Sequence, residues 1–324
     1  MAFCCVESYT LINMDVKERY RDFSSFIKSK FNNRVQKVSI NAGFTCPNKD
    51  GTKGIGGCTY CNNNTFNPDY CVPIKPVSVQ IEEGIDFFSK KYKVQKYLAY
   101  FQAFTNTYAP LKELKSMYEE ALSHNEVIGL VIATRPDSIK NDVLDYLQSL
   151  AEQGYFIKLE FGLESTNNRT LEIINRCQTH EEAIESFNRA KNRGLHLGAH
   201  LILGLPGESR EEMLNHARQI SNLPVNTLKI HHLQIVKHTM MAYQFKKTPE
   251  MFTFFDLDEY INLVVDFIEI LHPNIILERF FSESPERMLI YPKYGLKNFE
   301  VKHLVEKCLE ERNTFQGRLF QISK

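Results

Sequence analysis

Six short runs dense in β-branched and aromatic residues recur along the 324-residue chain, most of them separated by segments of helical periodicity. This alternation constrains the fold more than any other feature. The strand-like runs are Val35–Asn41, Tyr97–Phe104, Ile128–Thr134, Phe156–Glu164, Leu197–Leu205 and Thr227–Val236. Ahead of them, Val16, Tyr20, Phe23, Ile27 and Phe31 fall on one helical face. Between them the helices have readable ends. Ser78 is placed to cap a helix with the apolar face Ile81, Ile85, Phe88 and Tyr92. Thr179 with Glu182, and Ser209 with Glu212, have the spacing of capping boxes. Gly154 and Gly194 stand as helix stops.

Strands alternating with helices demand a parallel sheet with right-handed crossovers. Six is short of the eight that close a barrel. The expected fold is therefore α/β, an open, partial (β/α)6 TIM-like barrel over residues 34–240, preceded by a helical segment at 1–33. Periodicity alone does not separate it from a doubly wound sheet. A helix (Leu257, Ile261, Val264, Ile268, Leu271) and a strand-like Ile275–Phe281 mark residues 241–324 as a C-terminal extension packed on the barrel.

The first strand runs into a Gly-rich loop that holds Cys46, Cys58 and Cys61. In a parallel barrel such a loop lies at the carboxyl ends of the strands, where active sites form. Two thiolates of the Cys58-x-x-Cys61 pair reach neighbouring metal positions, and the glycines let backbone close around a bulky inorganic group. Two metals fit the spacing. Structural zinc takes four ligands, for which Cys71 could supply the last. An iron–sulfur cluster on three cysteines instead leaves one iron open. The remaining cysteines, Cys4, Cys5, Cys177 and Cys308, are scattered and read as small apolar fillers or exposed thiols.

The start of the chain has no basic n-region and no apolar run is long enough to span a bilayer, so a cytoplasmic protein without a membrane association is expected. Eight cysteines in a chain this long do not make a disulfide scaffold. The 39 basic and 39 acidic side chains cancel, which argues against a polyanion binder held by bulk charge.

The loop Cys46-x11-Cys58-x2-Cys61, with an aromatic residue directly before the last cysteine, resembles the widened cluster motif of radical S-adenosylmethionine (SAM) proteins. It is most similar to the branch related to the elongator catalytic subunit. The likeness covers about Tyr20 to Thr239 and continues, in order, through Phe101–Pro110, Ala133–Asp137, Leu159–Ser165, Ile174–Arg176, His200–Glu208 and Lys229–His231.

This resemblance implies a [4Fe–4S] cluster on Cys46, Cys58 and Cys61, with SAM on the open iron. One electron, from a donor such as flavodoxin or ferredoxin, would cleave SAM to a 5′-deoxyadenosyl radical that abstracts hydrogen from substrate. By motif, Thr105 and Asn106 would face the SAM amino group. Glu164 and Arg176 would contact its amino-acid moiety or ribose, and the turn Gly204-Leu205-Pro206-Gly207 its adenine. His200 falls in the same matched segment, although a histidine on an apolar strand is more often satisfied in the core. Lys229 and His231 share a strand face and would point inward together.

The chain departs from the family pattern in two places. Glu164 stands where relatives carry glutamine, and Cys177-Gln178 where they carry Gly-His. The elongator subunit's acetyltransferase domain has no counterpart after the sixth strand, so acetyl-CoA chemistry does not carry over. The implied substrate is tRNA, at the C5 substituent of the wobble uridine. A small-molecule or protein substrate, or a non-catalytic zinc-stapled scaffold, are the competing readings. Residues 1–100 hold 14 basic and 9 acidic side chains against 25 and 30 in the remainder. Lys28, Lys30, Arg34 and Lys37, with Lys90, Lys91, Lys93 and Lys96, are expected to form a phosphate-contacting surface beside the pocket.

Overall fold

The computed structural model describes residues 18–65, 67–90 and 95–321. Val16, Tyr92, Lys91, Lys93, Cys4 and Cys5 lie outside them. The opening helix α1 (Phe23–Phe31) starts at Asp22, whose Oδ2 accepts the Ser25 amide at 3.1 Å, and ends at Asn32 in the left-handed region. Tyr20 therefore precedes the helix. It is buried against the edge of the Phe280 ring, with centroids 5.2 Å apart.

Seven parallel strands form one sheet: β1 (Val35–Ile40), β2 (Lys96–Phe101), β3 (Val127–Thr134), β4 (Phe156–Glu164), β5 (His196–Leu203), β6 (Thr227–His232) and, last, β8 (Ile276–Arg279). Each strand lies beside its predecessor, with no reversal of order. That excludes a doubly wound sheet, whose order turns back at a switch point. The architecture is the expected partial TIM-like barrel, lengthened by one strand from the C-terminal segment. The run through Val236 is two elements rather than one. The chain breaks after His232, and β7 (Ile235–Val236) pairs antiparallel with β9 (Leu289–Tyr291) outside the barrel sheet. β2 also ends three residues early, because Phe104 turns into the left-handed region.

Helices α2 (Val77–Ser89), α3 (Leu111–Leu122), α4 (Asn141–Glu152), α5 (Asn168–Ile173), α6 (His180–Ala190), α7 (Arg210–Ser221), α8 (Met240–Lys247), α9 (Leu257–Ile270) and α10 (Asn298–Glu311) complete the chain. The capping boxes at Thr179–Glu182 and Ser209–Glu212 form as the spacing requires, and Asp256–Glu259 adds a third. Ser78 does not cap α2. Pro76 fixes the entering backbone, and the Ser78 amide and hydroxyl instead both donate to Glu120 on α3 at 2.8 Å. Gly194 lies beyond α6, which already ends at Ala190.

The outer face of the sheet is sealed by helix residues such as Tyr118, Leu144, Phe187, Ile220 and Val264, all fully buried. The inner face is different, because Lys158, Glu160 and Lys229 are buried there among apolar neighbours. No helix among the described residues is long and apolar enough to cross a membrane.

Close packing of β3 on β4 leaves no room for a side chain at Gly129: a methyl there would lie 2.0 Å from the Phe156 carbonyl oxygen. Gly129→Ala is expected to cost about 1–3 kcal/mol, since backbone rather than a mobile side chain must yield. Chemical denaturation measures this, and an unchanged unfolding midpoint would contradict the described register.

Candidate active site

The loop after β1 is organised by its own backbone. The Cys46 carbonyl accepts the amides of Lys49 (2.8 Å) and Asp50 (3.1 Å), and the Cys58 carbonyl accepts the Cys61 amide (3.0 Å). The loop is then tied to the segment after α5. Asn48 donates to the Asn175 carbonyl at 2.6 Å, Asn175 donates to the Gly57 carbonyl at 2.8 Å, and the Thr59 amide meets the Ile174 carbonyl at 2.9 Å. Gly54 is required by this approach. A Cβ there would come within 2.1 Å of Asn48 Oδ1 and 2.7 Å of Cys177 Sγ.

Cys46, Cys58 and Cys61 all line the mouth of one cavity. Donors already point at the sulfurs: Asn48 Nδ2 lies 3.5 Å and Arg176 Nη1 3.6 Å from Cys58 Sγ, and Asn63 Nδ2 lies 3.7 Å from Cys61 Sγ. Burial, reinforced by the neighbouring Cys58, pushes the Cys61 thiol up to about 12. A thiol so disfavoured as an anion is one that a bound cation would stabilise in its thiolate form. The donor set fits a cluster held by three thiolates, whose charge the aimed N–H groups would temper. Cys71 is elsewhere. It is buried, with its thiol donating to the Ser39 carbonyl at 2.9 Å. It does not join the three, which removes the fourth ligand of the zinc scaffold.

Arg176 is buried beside this group. Its Nη2 donates to the Gly162 carbonyl at 2.6 Å, and its Nε has no hydrogen-bond partner among the described residues. Burial disfavours its charge, but Cys58, Tyr60 and Glu164 outweigh that and hold the guanidinium above its usual range. A register shift of β4 against β5, between Gly162 and Glu164, places Glu164 at φ 66° on the cavity wall. Arg135 supports Arg176 from behind. It clamps Asp137 through two hydrogen bonds (2.9 and 2.8 Å) and donates to the Arg176 carbonyl at 2.9 Å. Asn48 and Arg135 brace this geometry; Arg135 stands within the matched Ala133–Asp137 segment, where no contact was expected of it.

Below the mouth the cavity, about 740 Å³ in volume, runs into the barrel interior. There Glu160 is bonded by Lys229 (2.6 Å), Lys158 (2.9 Å), His200 (3.0 Å) and Lys37 (3.3 Å). Glu278 pairs with Lys37, Lys158 and, at 3.5 Å, Lys229. Burial pushes both carboxyls up, yet the three lysines overcome it and hold both well below the usual carboxylate range. Burial and the Lys229 charge pull His200 down, and His231 falls further, through burial, His200 and Arg279. Lys229 and His231 do point inward together. The sequence signal for this interior is a pair of charged residues, Lys158 and Glu160, on an apolar strand.

Several expected contacts are placed differently. Thr105 lines the cavity, but Asn106 does not. Asn106 is buried behind the wall, with its Nδ2 donating to the Ala133 carbonyl at 2.8 Å. Gly204, Pro206 and Gly207 are also off the cavity wall, because the turn packs toward Leu233, Phe255 and Ile173. Ile202, Leu233 and Val236 line it instead. His200 reaches the cavity but serves the interior ion network. The basic residues Lys28, Lys30, Arg34, Lys90 and Lys96 sit where β1 and β2 begin, at the opposite end of the barrel from the cysteine loop. Six strand residues, about 20 Å, separate the two ends of β1. The described members of the expected patch thus lie away from the cysteine loop, and Lys37 is an interior ion.

Family profiles agree with this geometry. The radical SAM superfamily matches residues 45–220, and the Radical_SAM C-terminal domain matches residues 225–311. The protein belongs to the radical SAM superfamily and is an enzyme of that class. It is 36% identical over 307 residues to the uncharacterized protein YtqA of Bacillus subtilis (strain 168), which covers 95% of this chain and 94% of YtqA. It is 25% identical over 209 residues to a tRNA uridine(34) acetyltransferase of Methanocaldococcus infernus, 62% of this chain and 37% of that protein. Among solved structures, Methanocaldococcus infernus Elp3 with an N-terminal deletion matches with a TM-score of 0.67 at 16% identity, over 88% of this chain. The chain spans 64% of that structure's length, and the likeness shows a shared fold.

Two outcomes follow from the site. After anaerobic reconstitution, Cys46→Ala, Cys58→Ala and Cys61→Ala are each expected to lose most bound iron, whereas Cys71→Ala keeps it. Iron analysis decides, and equal loss in Cys71→Ala would restore a four-cysteine site. His232 is buried, stacks on Phe281 with centroids 4.0 Å apart, and is depressed by burial from 6.5 to about 3. The unfolded chain takes this proton near pH 6.5, so the stabilisation is complete above that pH and is lost as pH falls toward 3. The loss is roughly 1.4 kcal/mol per pH unit. His232→Phe should flatten the acid limb of stability against pH by about one proton. Denaturant titrations between pH 7 and 4 with an unaltered slope would contradict this.

Proposed function

We propose that the protein is a radical SAM enzyme that holds a [4Fe–4S] cluster on Cys46, Cys58 and Cys61 and modifies the C5 substituent of the tRNA wobble uridine. The observation that carries the chemistry is that Cys46, Cys58 and Cys61 all line one deep barrel cavity, with the Arg176 guanidinium 3.6 Å from the Cys58 sulfur. When bound, the cluster and SAM supply a one-electron cleavage that yields a hydrogen-abstracting 5′-deoxyadenosyl radical, with a flavodoxin or ferredoxin as electron donor.

The chain's own residues have distinct tasks in this reading. Arg176 tempers the Cys58 sulfur through Nη1 and offers its unpartnered Nε toward a carboxylate. Glu164, on the wall opposite a guanidinium rather than a second carboxylate, is placed for ribose hydroxyls. Ile202, Leu233 and Val236 give an apolar shelf for a flat base and exclude water from the reacting atoms.

Two features support tRNA as substrate. One is the similarity to a tRNA uridine(34) acetyltransferase. The other is α8, whose Met241 amide is bonded to the Thr59 carbonyl at 2.8 Å, inside the cysteine loop. α8 exposes Met240, Tyr243, Lys246 and Lys247 beside the mouth, with the Lys247 ammonium 5.1 Å from the Tyr243 ring centre. Basic and aromatic groups interleaved in this way suit an RNA loop.

Mass spectrometry of tRNA nucleosides from cells with and without the gene should show one wobble-uridine species replaced by its precursor. An unchanged profile would remove the tRNA reading. In vitro, Lys246→Glu with Lys247→Glu should weaken tRNA binding at low salt and lower the salt slope by about two. An unchanged slope would move the RNA off α8.

A further inference from the structure

The barrel interior holds more positive than negative charge. Lys37, Lys158, Lys229 and Arg279 face two carboxylates, Glu160 and Glu278, while a third on the lining, Glu283, is engaged by the Asn298 amide at 2.6 Å. Each lysine is bonded to both carboxylates. Arg279 is bonded to neither, and makes no hydrogen bond or ion pair among the described residues. It nevertheless lines the cavity, half-buried.

The position of Arg279 is set by backbone, not by chance of rotamer. The register between β6 and β8 shifts so that Leu228 faces Leu277 and Lys229 faces Arg279, leaving Glu278 as the extra residue of a bulge. A bulge lets two successive side chains serve one face of a strand. Glu278 and Arg279 thus both reach the interior. Beside Arg279, His231 pairs through Nδ1 with the Ser282 hydroxyl, and its buried Nε2 has no hydrogen-bond partner. The Arg279 charge is among the causes that hold His231 neutral, so the two groups sense each other. Glu164 does not balance the excess, since it stands at the mouth against Arg176. A half-buried guanidinium that neither interior carboxylate engages is an incomplete ion pair.

We propose that Arg279, with Lys229 and the Nε2 of His231, forms an anion subsite on the wall of the cavity that takes a carboxylate or phosphate group of the substrate. The guanidinium offers its planar fork, which suits both oxyanions. Lys229 adds charge through its shared hold on Glu160. The inference rests on the proposed function only in treating the cavity as the substrate chamber. The anion itself belongs either to a substituent of the modified group, as a carboxylate, or to a nucleotide, as a phosphate.

The test uses cluster-loaded protein and two probes, acetate and inorganic phosphate, each titrated against chloride at equal ionic strength while the thermal midpoint is followed. A saturable rise with acetate alone assigns a carboxylate, with phosphate alone a phosphate, and with both the shared oxyanion chemistry. Arg279→Met should weaken the apparent affinity at least tenfold. Arg279→Lys, which keeps the charge and loses the fork, should fall between it and the wild type and serves if the methionine variant does not fold. Lys28→Met, at the far end of the barrel, should respond as wild type. No response to either probe, or a response that survives in the Arg279 variants, overturns the subsite. An intact anion response beside an unchanged tRNA nucleoside profile would sink the tRNA reading and leave the subsite standing.

Discussion

Everything inside this barrel depends on Glu160. A carboxylate buried on the inner face of a sheet is tolerable only if its charge is met at close range. Glu160 is met by three ammonium groups and an imidazole, drawn from β1, β4, β5 and β6. Four strands are thereby tied to one buried carboxylate inside the open barrel. The arrangement leaves a cavity lined by polar groups inside the barrel, whereas a barrel filled with branched aliphatics would be solid.

The mouth of the cavity is governed by a second set of contacts. Glycines allow the cysteine loop to lie against the Ile174–Arg176 segment, and Asn48 and Asn175 bind the two together. Arg176 therefore reaches Cys58 from a different strand–helix unit of the fold, and Arg135 holds it there. The loop and its guanidinium are positioned before any ligand arrives, which reduces the reorganisation a charged ligand would otherwise require. The first turn of α8 is hydrogen-bonded to the same loop, so its exposed basic and aromatic face is tied to the cysteines.

The sequence made the elements legible because periodicity and capping are local. Strands β1 to β6 start within two residues of where spacing places them, although β2 and β6 end early, and the boxes at Thr179 and Ser209 form as spaced. The three cysteines were legible for the same reason, being close in sequence. What spacing could not reveal was which end or face a residue would occupy. Lys28 and Arg34 looked adjacent to the loop, yet a strand's length separates them from it. Asn106 follows Thr105 directly, but successive residues diverge and only Thr105 reaches the cavity. The Gly204–Gly207 turn follows β5 directly, yet its residues pack beside Phe255, Leu233 and Ile173 and do not line the cavity. The bulge that aims Arg279 inward arises from pairing between β6 and β8, which lie far apart in sequence and carry no local signature.

The central claim is that this constellation cleaves SAM. The most direct measurement is the release of 5′-deoxyadenosine, by mass spectrometry, from anaerobically reconstituted protein given SAM, dithionite and total tRNA. The account predicts 5′-deoxyadenosine from the wild type and none from Cys58→Ala. A fully iron-loaded wild-type protein that leaves SAM intact under these conditions would contradict it.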